Sequence, residues 1–204
     1  MNNPYPVSVS YVKSSEYPSQ CPADGLPEYA FIGRSNVGKS SLINMLAGND
    51  KLSKVSGTPG KTKLINHFLV NGSWYMVDLP GYGFAKTSKG ERQHYSAIIT
   101  RYIRERERLT LLFVLIDVRL EPQRIDLAFI RQLGEYGVPF ALVFTKADKV
   151  SGRKQQSNVE LFRRALLEMW EELPQMFVTS SEKKMGGEEM LRYIEHVNSS
   201  LQTL

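Results

Sequence analysis

Short apolar runs and longer amphipathic stretches take turns along nearly the whole chain. The runs at 29–32, 64–70, 73–78, 111–117, 138–145 and 176–178 have the length of strands. Tyr29-Ala30-Phe31-Ile32 is apolar at every position, and the runs at 111–117 and 138–145 are apolar at all but the last, as in strands covered on both faces. The stretches at 39–47, 90–108, 122–136, 154–172 and 187–201 read as helices. Asn71-Gly72, between the second and third runs, is a hairpin turn signal. This alternation predicts an α/β fold: a mostly parallel six-stranded sheet with one antiparallel edge strand and helices on both faces. Residues 28–204 read as one domain. Ahead of them, residues 1–27 hold five of the ten prolines and read as an irregular arm with one short strand at 7–12.

Ligands of such a sheet bind beyond the carboxyl ends of its strands, and the motifs that carry chemistry lie there. Gly33-Arg34-Ser35-Asn36-Val37-Gly38-Lys39-Ser40 fits the phosphate-loop pattern GxxxxGK[ST] directly after the first run and before a helical one. Backbone N–H groups of such a loop turn inward around phosphates, and the helix adds its positive N-terminal end. Lys39 brings a charge to the outer phosphates, and the Ser40 hydroxyl can ligate Mg²⁺. The predicted ligand is a nucleoside triphosphate. Asp78-Leu79-Pro80-Gly81 closes the run at 73–78 and matches DxxG, in which Asp78 holds a water on the metal and the Gly81 N–H contacts the γ-phosphate. Between the two motifs, Thr58-Pro59-Gly60-Lys61-Thr62, followed by Lys63 and Leu64, should supply a threonine that closes the metal shell. Thr62 is preferred to Thr58, because Pro-Gly-Lys-Thr resembles a Pro-Gly-Thr-Thr segment of bacterial GTPases. Lys39, Thr62 and Gly81 are thus the candidate catalytic groups, and Ser40 and Thr62 the candidate metal ligands.

Thr145-Lys146-Ala147-Asp148 selects the base. It closes the run at 138–145 with TKxD spacing, so that Asp148 would accept hydrogen bonds from the guanine ring N–H and exocyclic amine while the Lys146 stem lies along the base. Adenine lacks that donor pair, and a site built around it rejects the wrong base strongly. Val178-Thr179-Ser180, continuing into Ser181-Glu182, stands where backbone N–H groups would reach the guanine carbonyl, although a serine pair after a strand is a weak motif by itself. A phosphate loop also serves kinases of small metabolites. Thr145-Lys146-Ala147-Asp148 and the lack of an evident second-substrate lid argue against that reading.

Composition adds bounds. The 204 residues are 42% hydrophobic, ordinary for a folded domain. Cys21 is the single cysteine, which excludes an internal disulfide and a cysteine-based metal cluster. His67, His94 and His196 are scattered and read as structural or surface residues. No apolar run approaches the length of a bilayer span and the start lacks a secretory pattern, so a cytoplasmic protein with no membrane partner is expected. The net charge of +5 permits an RNA partner without requiring one. Lys51, Lys54, Lys61 and Lys63 surround the loop with Thr62, and Lys86, Lys89 and Arg92 follow the DxxG motif. They read either as an RNA clamp that changes shape with the nucleotide or as solvated loop residues. Residues 101–108, of mixed charge, read as a solvated helix face without a function of its own.

Together these motifs resemble the translation-factor-like P-loop GTPases and, within them, the EngB family of bacterial ribosome-biogenesis GTPases. The resemblance covers nearly the whole chain, from about Val9, and Asp78-Leu79-Pro80-Gly81-Tyr82-Gly83 is more specific than DxxG alone. It implies a P-loop NTPase of the Ras-like G-domain type that binds GTP and GDP with Mg²⁺ and hydrolyses GTP. It further implies a monomer that assists assembly of the large (50S) ribosomal subunit through rRNA or ribosomal proteins, with defects of division and septation on its loss. An alternative is a nucleotide-gated binding protein acting directly on the division machinery, with hydrolysis incidental. Tyr82 stands where Ras-like proteins carry a water-orienting glutamine, so slow intrinsic hydrolysis, stimulated by a partner or by K⁺, is expected. Asn36 falls where related GTPases ligate K⁺, and reads equally well as a solvent-facing loop asparagine. Ser180-Ser181-Glu182 departs from the Ser-Ala-Lys of many GTPases.

Overall fold

The parallel strands expected from the almost continuous apolar runs form the centre of one sheet in the computed structural model, which describes residues 4–53, 64–83 and 88–201. In chain order the elements are β1 (Val9–Ser15), β2 (Glu28–Gly33), α1 (Lys39–Ala47), β3 (Ile65–Val70), β4 (Trp74–Asp78), α2 (Lys89–Glu105) and β5 (Leu109–Asp117). They continue with α3 (Arg124–Glu135), β6 (Phe140–Thr145), α4 (Gly152–Leu167), β7 (Met176–Val178) and α5 (Gly187–Leu201). The spatial order is β1-β3-β4-β2-β5-β6-β7. Among the described strands only β3 runs against the others, pairing antiparallel with both β4 and β1.

The sheet therefore has seven strands where the sequence predicts six, and β3 is not its edge. Part of the N-terminal arm adds the seventh strand, running from Val9 opposite Val70 to Ser15 opposite Ile65. This satisfies an edge of β3 that would otherwise present unpaired N–H and C=O groups. Asn71 in the hairpin turn secures the join: its Oδ1 accepts from the Val7 and Ser8 amides at 2.9 and 3.0 Å, and its own N–H donates to the Ser8 carbonyl at 2.9 Å. The short strand expected at 7–12 forms at 9–15 instead; it buries neither face consistently, and Tyr11 is 56% exposed, so its alternation is too weak to set the bounds from the sequence.

The two faces of the central strands bury separate cores. Ala30, Ile32, Val114, Ile116 and Phe144 pack under α2, α3 and α4 with Ile99, Ile130 and Phe162. Tyr29, Phe31, Phe113, Leu115 and Val143 face α1 and α5 through Leu42, Leu46, Leu191 and Ile194. No helix among the described residues is long and apolar enough to cross a membrane.

Helix ends depart from the sequence reading where tertiary partners intervene. Ser88 caps α2, its hydroxyl accepting from the Glu91 amide at 3.2 Å. At the other end α2 stops at Glu105 rather than Arg108, because Arg106 turns extended and reaches Glu28. The stretch 101–108 is thus only partly the solvated face it resembles. Arg101 and Glu105 do pair locally at 3.3 Å, but Tyr102 is fully buried and Arg106 joins an interior cluster. α4 ends at Leu167, not 172, and Trp170 turns back onto Phe140 with ring centres 5.5 Å apart.

Glu28, the first residue of β2, is the centre of that cluster. Its buried carboxylate accepts from Tyr102 Oη at 2.5 Å and from Arg106 Nε at 3.0 Å, contacts Arg106 Nη2, and lies 3.2 Å from His67 Nε2. The same guanidinium donates to the Pro22 carbonyl at 2.5 Å, tying the arm to the sheet. Burial pushes the Glu28 carboxyl up, but hydrogen bonds from His67, Arg106 and Tyr102 outweigh it and hold it at about 2. His67 is accordingly an interior structural residue.

Candidate functional site

At the opposite end of β2 the strand runs into the phosphate loop. Gly33 ends it where no side chain fits, since a Cβ there would lie 2.9 Å from both the Leu115 carbonyl and Val37 Cγ1. Gly38 takes φ +104° as the residue before α1, a conformation that side chains disfavour. Asn36 is also left-handed, at φ 62°, and exposed. These turns bring the loop back onto the positive end of α1. Arg34 and Ser35 stay partly exposed, while Val37 packs into the core.

Two struts hold the loop from β6. The Thr145 hydroxyl donates to the Val37 carbonyl at 2.6 Å, and Lys146 Nζ donates to the Asn36 carbonyl at 2.5 Å and to Asp117 Oδ2 at 2.9 Å. The Lys146 stem passes Gly38, its Cε lying 3.9 Å from where a Cβ would be. Asp117 also receives Arg119 through two nitrogens at 2.8 and 2.7 Å. Burial raises its carboxyl, and the bonds from Arg119 and Lys146 bring it down to about 2.

Lys39 and Asp78 meet beneath the loop. The Lys39 ammonium contacts Asp78 Oδ1, and the Ser53 hydroxyl approaches Asp78 Oδ2 at 3.4 Å. Burial pushes the Lys39 ammonium down, to about 7. Leu79, Pro80 and Gly81 leave β4 buried, with the Leu79 amide on the Phe31 carbonyl at 3.1 Å and the Tyr82 amide on the Gly33 carbonyl at 3.2 Å. The DxxG segment is thereby stitched to β2 and the phosphate loop. The donor set suits Mg²⁺: the Ser40 hydroxyl, in the first turn of α1, and the Asp78 carboxylate, at the end of β4, are hard oxygen groups. With a bound nucleotide the metal would offset charge on the outer phosphates. Gly60, Lys61, Thr62 and Lys63 lie outside the described residues, and Leu64, just before β3, is 38% exposed.

The base-selecting loops are joined to each other. The Ala147 amide donates to the Thr179 carbonyl at 3.1 Å, and Thr179 returns its own amide to the Phe144 carbonyl at 2.7 Å. Ser180 Oγ donates to Asp148 Oδ1 at 2.5 Å, and this bond holds the Asp148 carboxyl below its ordinary range. Val178 and Thr179 serve the junction between β6 and β7, which leaves Ser180, Ser181 and Asp148 as the polar groups at the base end. A cleft of about 600 Å³ lies between α1 and the loop after β7, lined by Ser41, Asn44, Asp50, Ser181, Glu182 and Tyr5.

Several of these residues escaped the sequence reading. Asn44 sits inside an apolar helix, 4% exposed, and binds the Asp50 and Ser53 carbonyls and the Ser53 amide. A polar residue in a buried helical run was the available signal. Asp117 ends an apolar strand at the carboxyl edge of the sheet, as Asp78 does, and could have been read in the same way. Tyr5, from the arm, carried no signal.

A phosphate loop and the carboxylate of a TKxD motif, both at the carboxyl edge of a mainly parallel sheet, fit a P-loop GTPase. Comparison with known proteins agrees. A family profile described as 50S ribosome-binding GTPase matches residues 28–146. The chain is 59% identical over 196 residues to the probable GTP-binding protein EngB of Phocaeicola vulgatus, covering 96% of this chain and 98% of that protein. It is 57% identical over 194 residues to the protein of that name from Porphyromonas gingivalis, covering 95% and 96%. The crystal structure of a probable GTP-binding protein engB shares the fold, with a TM-score of 0.69 over 85% of this chain and 99% of that one at 22% identity. The chain belongs to the EngB family of GTP-binding proteins, and it binds and hydrolyses GTP.

Proposed function

We propose that this GTPase is a nucleotide-dependent switch in assembly of the large ribosomal subunit, its need in cell division and septation following from that role. The observation that carries the reading is the match of a 50S ribosome-binding GTPase profile across 28–146, from β2 through the phosphate loop to Lys146. Exposed Lys51 and Arg92, flanking the two segments expected to reorder with the γ-phosphate, support a contact with rRNA phosphates. The protein acts as a monomer in the cytoplasm. Co-sedimentation with ribosomal subunits of its own host should show selective binding to large-subunit particles with a non-hydrolysable GTP analogue. That binding should weaken with GDP and with rising salt. Tight GTP binding without association in any nucleotide state would redirect the search to division proteins.

Hydrolysis by the isolated protein is slow in this reading. Tyr82 is buried against α3 with its hydroxyl on Asp126 at 2.9 Å, so it is committed away from a water-orienting role. Asn36, exposed on the loop, is the proposed K⁺ ligand. GTP turnover should rise several-fold when NaCl is replaced by KCl, and the rise should vanish in Asn36→Ala. Equal rates in the two salts would remove Asn36 from that role.

A further inference from the structure

Asp126 lies in the first turn of α3, belongs to no nucleotide-binding motif, and is only 1% exposed. Its Oδ1 accepts from the Tyr82 hydroxyl at 2.9 Å and pairs with Arg34 Nε at 3.1 Å. Its Oδ2 is buried without a partner. A half-satisfied interior carboxylate is costly, and a purely structural site would be better filled by an apolar side chain. Its two partners are the residues at the start of the phosphate loop and immediately after the γ-phosphate sensor. Arg34 follows Gly33, Tyr82 follows Gly81, and a backbone bridge already joins Arg34 to Tyr82. The Tyr82 ring stacks on Phe129 of α3 with centres 4.4 Å apart and planes 21° apart. Burial and the neighbouring Asp126 charge keep the Tyr82 phenol well above its ordinary range, so it remains a donor in this bond.

We infer that Asp126 is a positioning residue for the γ-phosphate: through Tyr82 and Arg34 it fixes the Gly81 segment relative to the phosphate loop. A backbone donor must be held within a fraction of an ångström of its productive place, and a chain ordered before the ligand arrives loses less entropy on binding it. The tyrosine that cannot orient water therefore has another task, to anchor the sensor to α3. Guanine and the first two phosphates are gripped by the phosphate loop, α1 and the loops after β6 and β7, whereas the Gly81 N–H meets only the γ-phosphate, so a loss of Gly81 placement falls on GTP and not on GDP. The inference rests on the GTPase reading, and the unaltered protein's binding of GDP and of a GTP analogue tests that reading separately.

The experiment measures affinity for fluorescent GDP and for a fluorescent non-hydrolysable GTP analogue, with single-turnover phosphate release, in Tyr82→Phe, Asp126→Asn and the double variant. Tyr82→Phe keeps the ring stack and deletes only the hydroxyl, so it carries the test should Asp126→Asn fail to fold. Analogue affinity and single-turnover rate should fall about tenfold while GDP affinity stays within about twofold. The double variant should be no worse than the poorer single one, as for residues acting through one contact. Equal losses for both nucleotides, additive losses, or no loss in Tyr82→Phe would each overturn the assignment.

Discussion

Replacing Asp148 by asparagine should weaken binding of guanine nucleotides by roughly two to three orders of magnitude, because a base-specific site fails when its hydrogen-bonding group is mismatched. The Asp148 carboxylate can only accept, and guanine offers it two donors. An asparagine places an N–H₂ group opposite one of them, so two donors face each other. The loss should not come from misfolding. Ser180 Oγ, which donates to Asp148 Oδ1 at 2.5 Å, can donate equally to the asparagine carbonyl, so the junction between β6 and β7 keeps its link. Titration with fluorescent GDP measures the loss, and a thermal melt without nucleotide checks the fold. Xanthosine diphosphate, with a carbonyl in place of the exocyclic amine, should recover part of the affinity in the variant alone. Undiminished GDP binding would remove Asp148 from base recognition.

Glu28→Ala should lower the folding free energy by about 3–5 kcal/mol, the range for breaking a buried charge pair by removing one partner. Arg106, His67 and the Tyr102 hydroxyl would all lose their shared acceptor inside the protein. For a domain whose whole stability is about 5–15 kcal/mol this is a large fraction, readable as a drop in the urea midpoint. Glu28→Gln, which keeps an acceptor, should cost less. Acid acts on the same carboxylate. Its folded value of about 2 lies below the ordinary 4.5, so its stabilisation is complete above pH 4.5 and lost as pH falls from there towards 2. The shift corresponds to about 3 kcal/mol. Acid unfolding in the wild type should therefore steepen across that window, and Glu28→Ala should flatten it. An unchanged acid profile in the variant would show that other carboxylates control it.

Glu28 and Asp148 also mark the two kinds of information in this chain. The phosphate loop, Asp78-Leu79-Pro80-Gly81 and Thr145-Lys146-Ala147-Asp148 are legible because each is a local backbone shape with a local chemical task. A turn that exposes N–H groups needs particular glycines, and a strand-end carboxylate needs no distant partner to be recognised. The almost continuous apolar runs within β2, β5 and β6 likewise announce strands covered on both sides, because period and burial are properties of consecutive residues. Lys146 is legible in part. Its motif places it at the base, while its hold on Asn36 and Asp117 depends on three segments meeting.

What the tertiary structure alone decided consists of contacts between distant residues that look ordinary one at a time. Arg106 resembles any arginine of a charged helix until Glu28, 78 positions away, takes it inside. Tyr82 and Asp126, 44 positions apart, meet because the segment after β4 packs into the same core cluster as α3, Tyr82 against Phe129. β1 is only partly legible: a short strand is readable at 7–12, but its extent to Ser15 and its place beside β3 follow from the edge β3 has to pair, a backbone requirement that no side-chain pattern records. The sequence by itself therefore determined the ligand and the class of fold, which follow from local chemistry and periodicity. Which buried polar groups hold the site in place was decided only when the chain closed on itself, since a buried charge is tolerable only where its partner arrives.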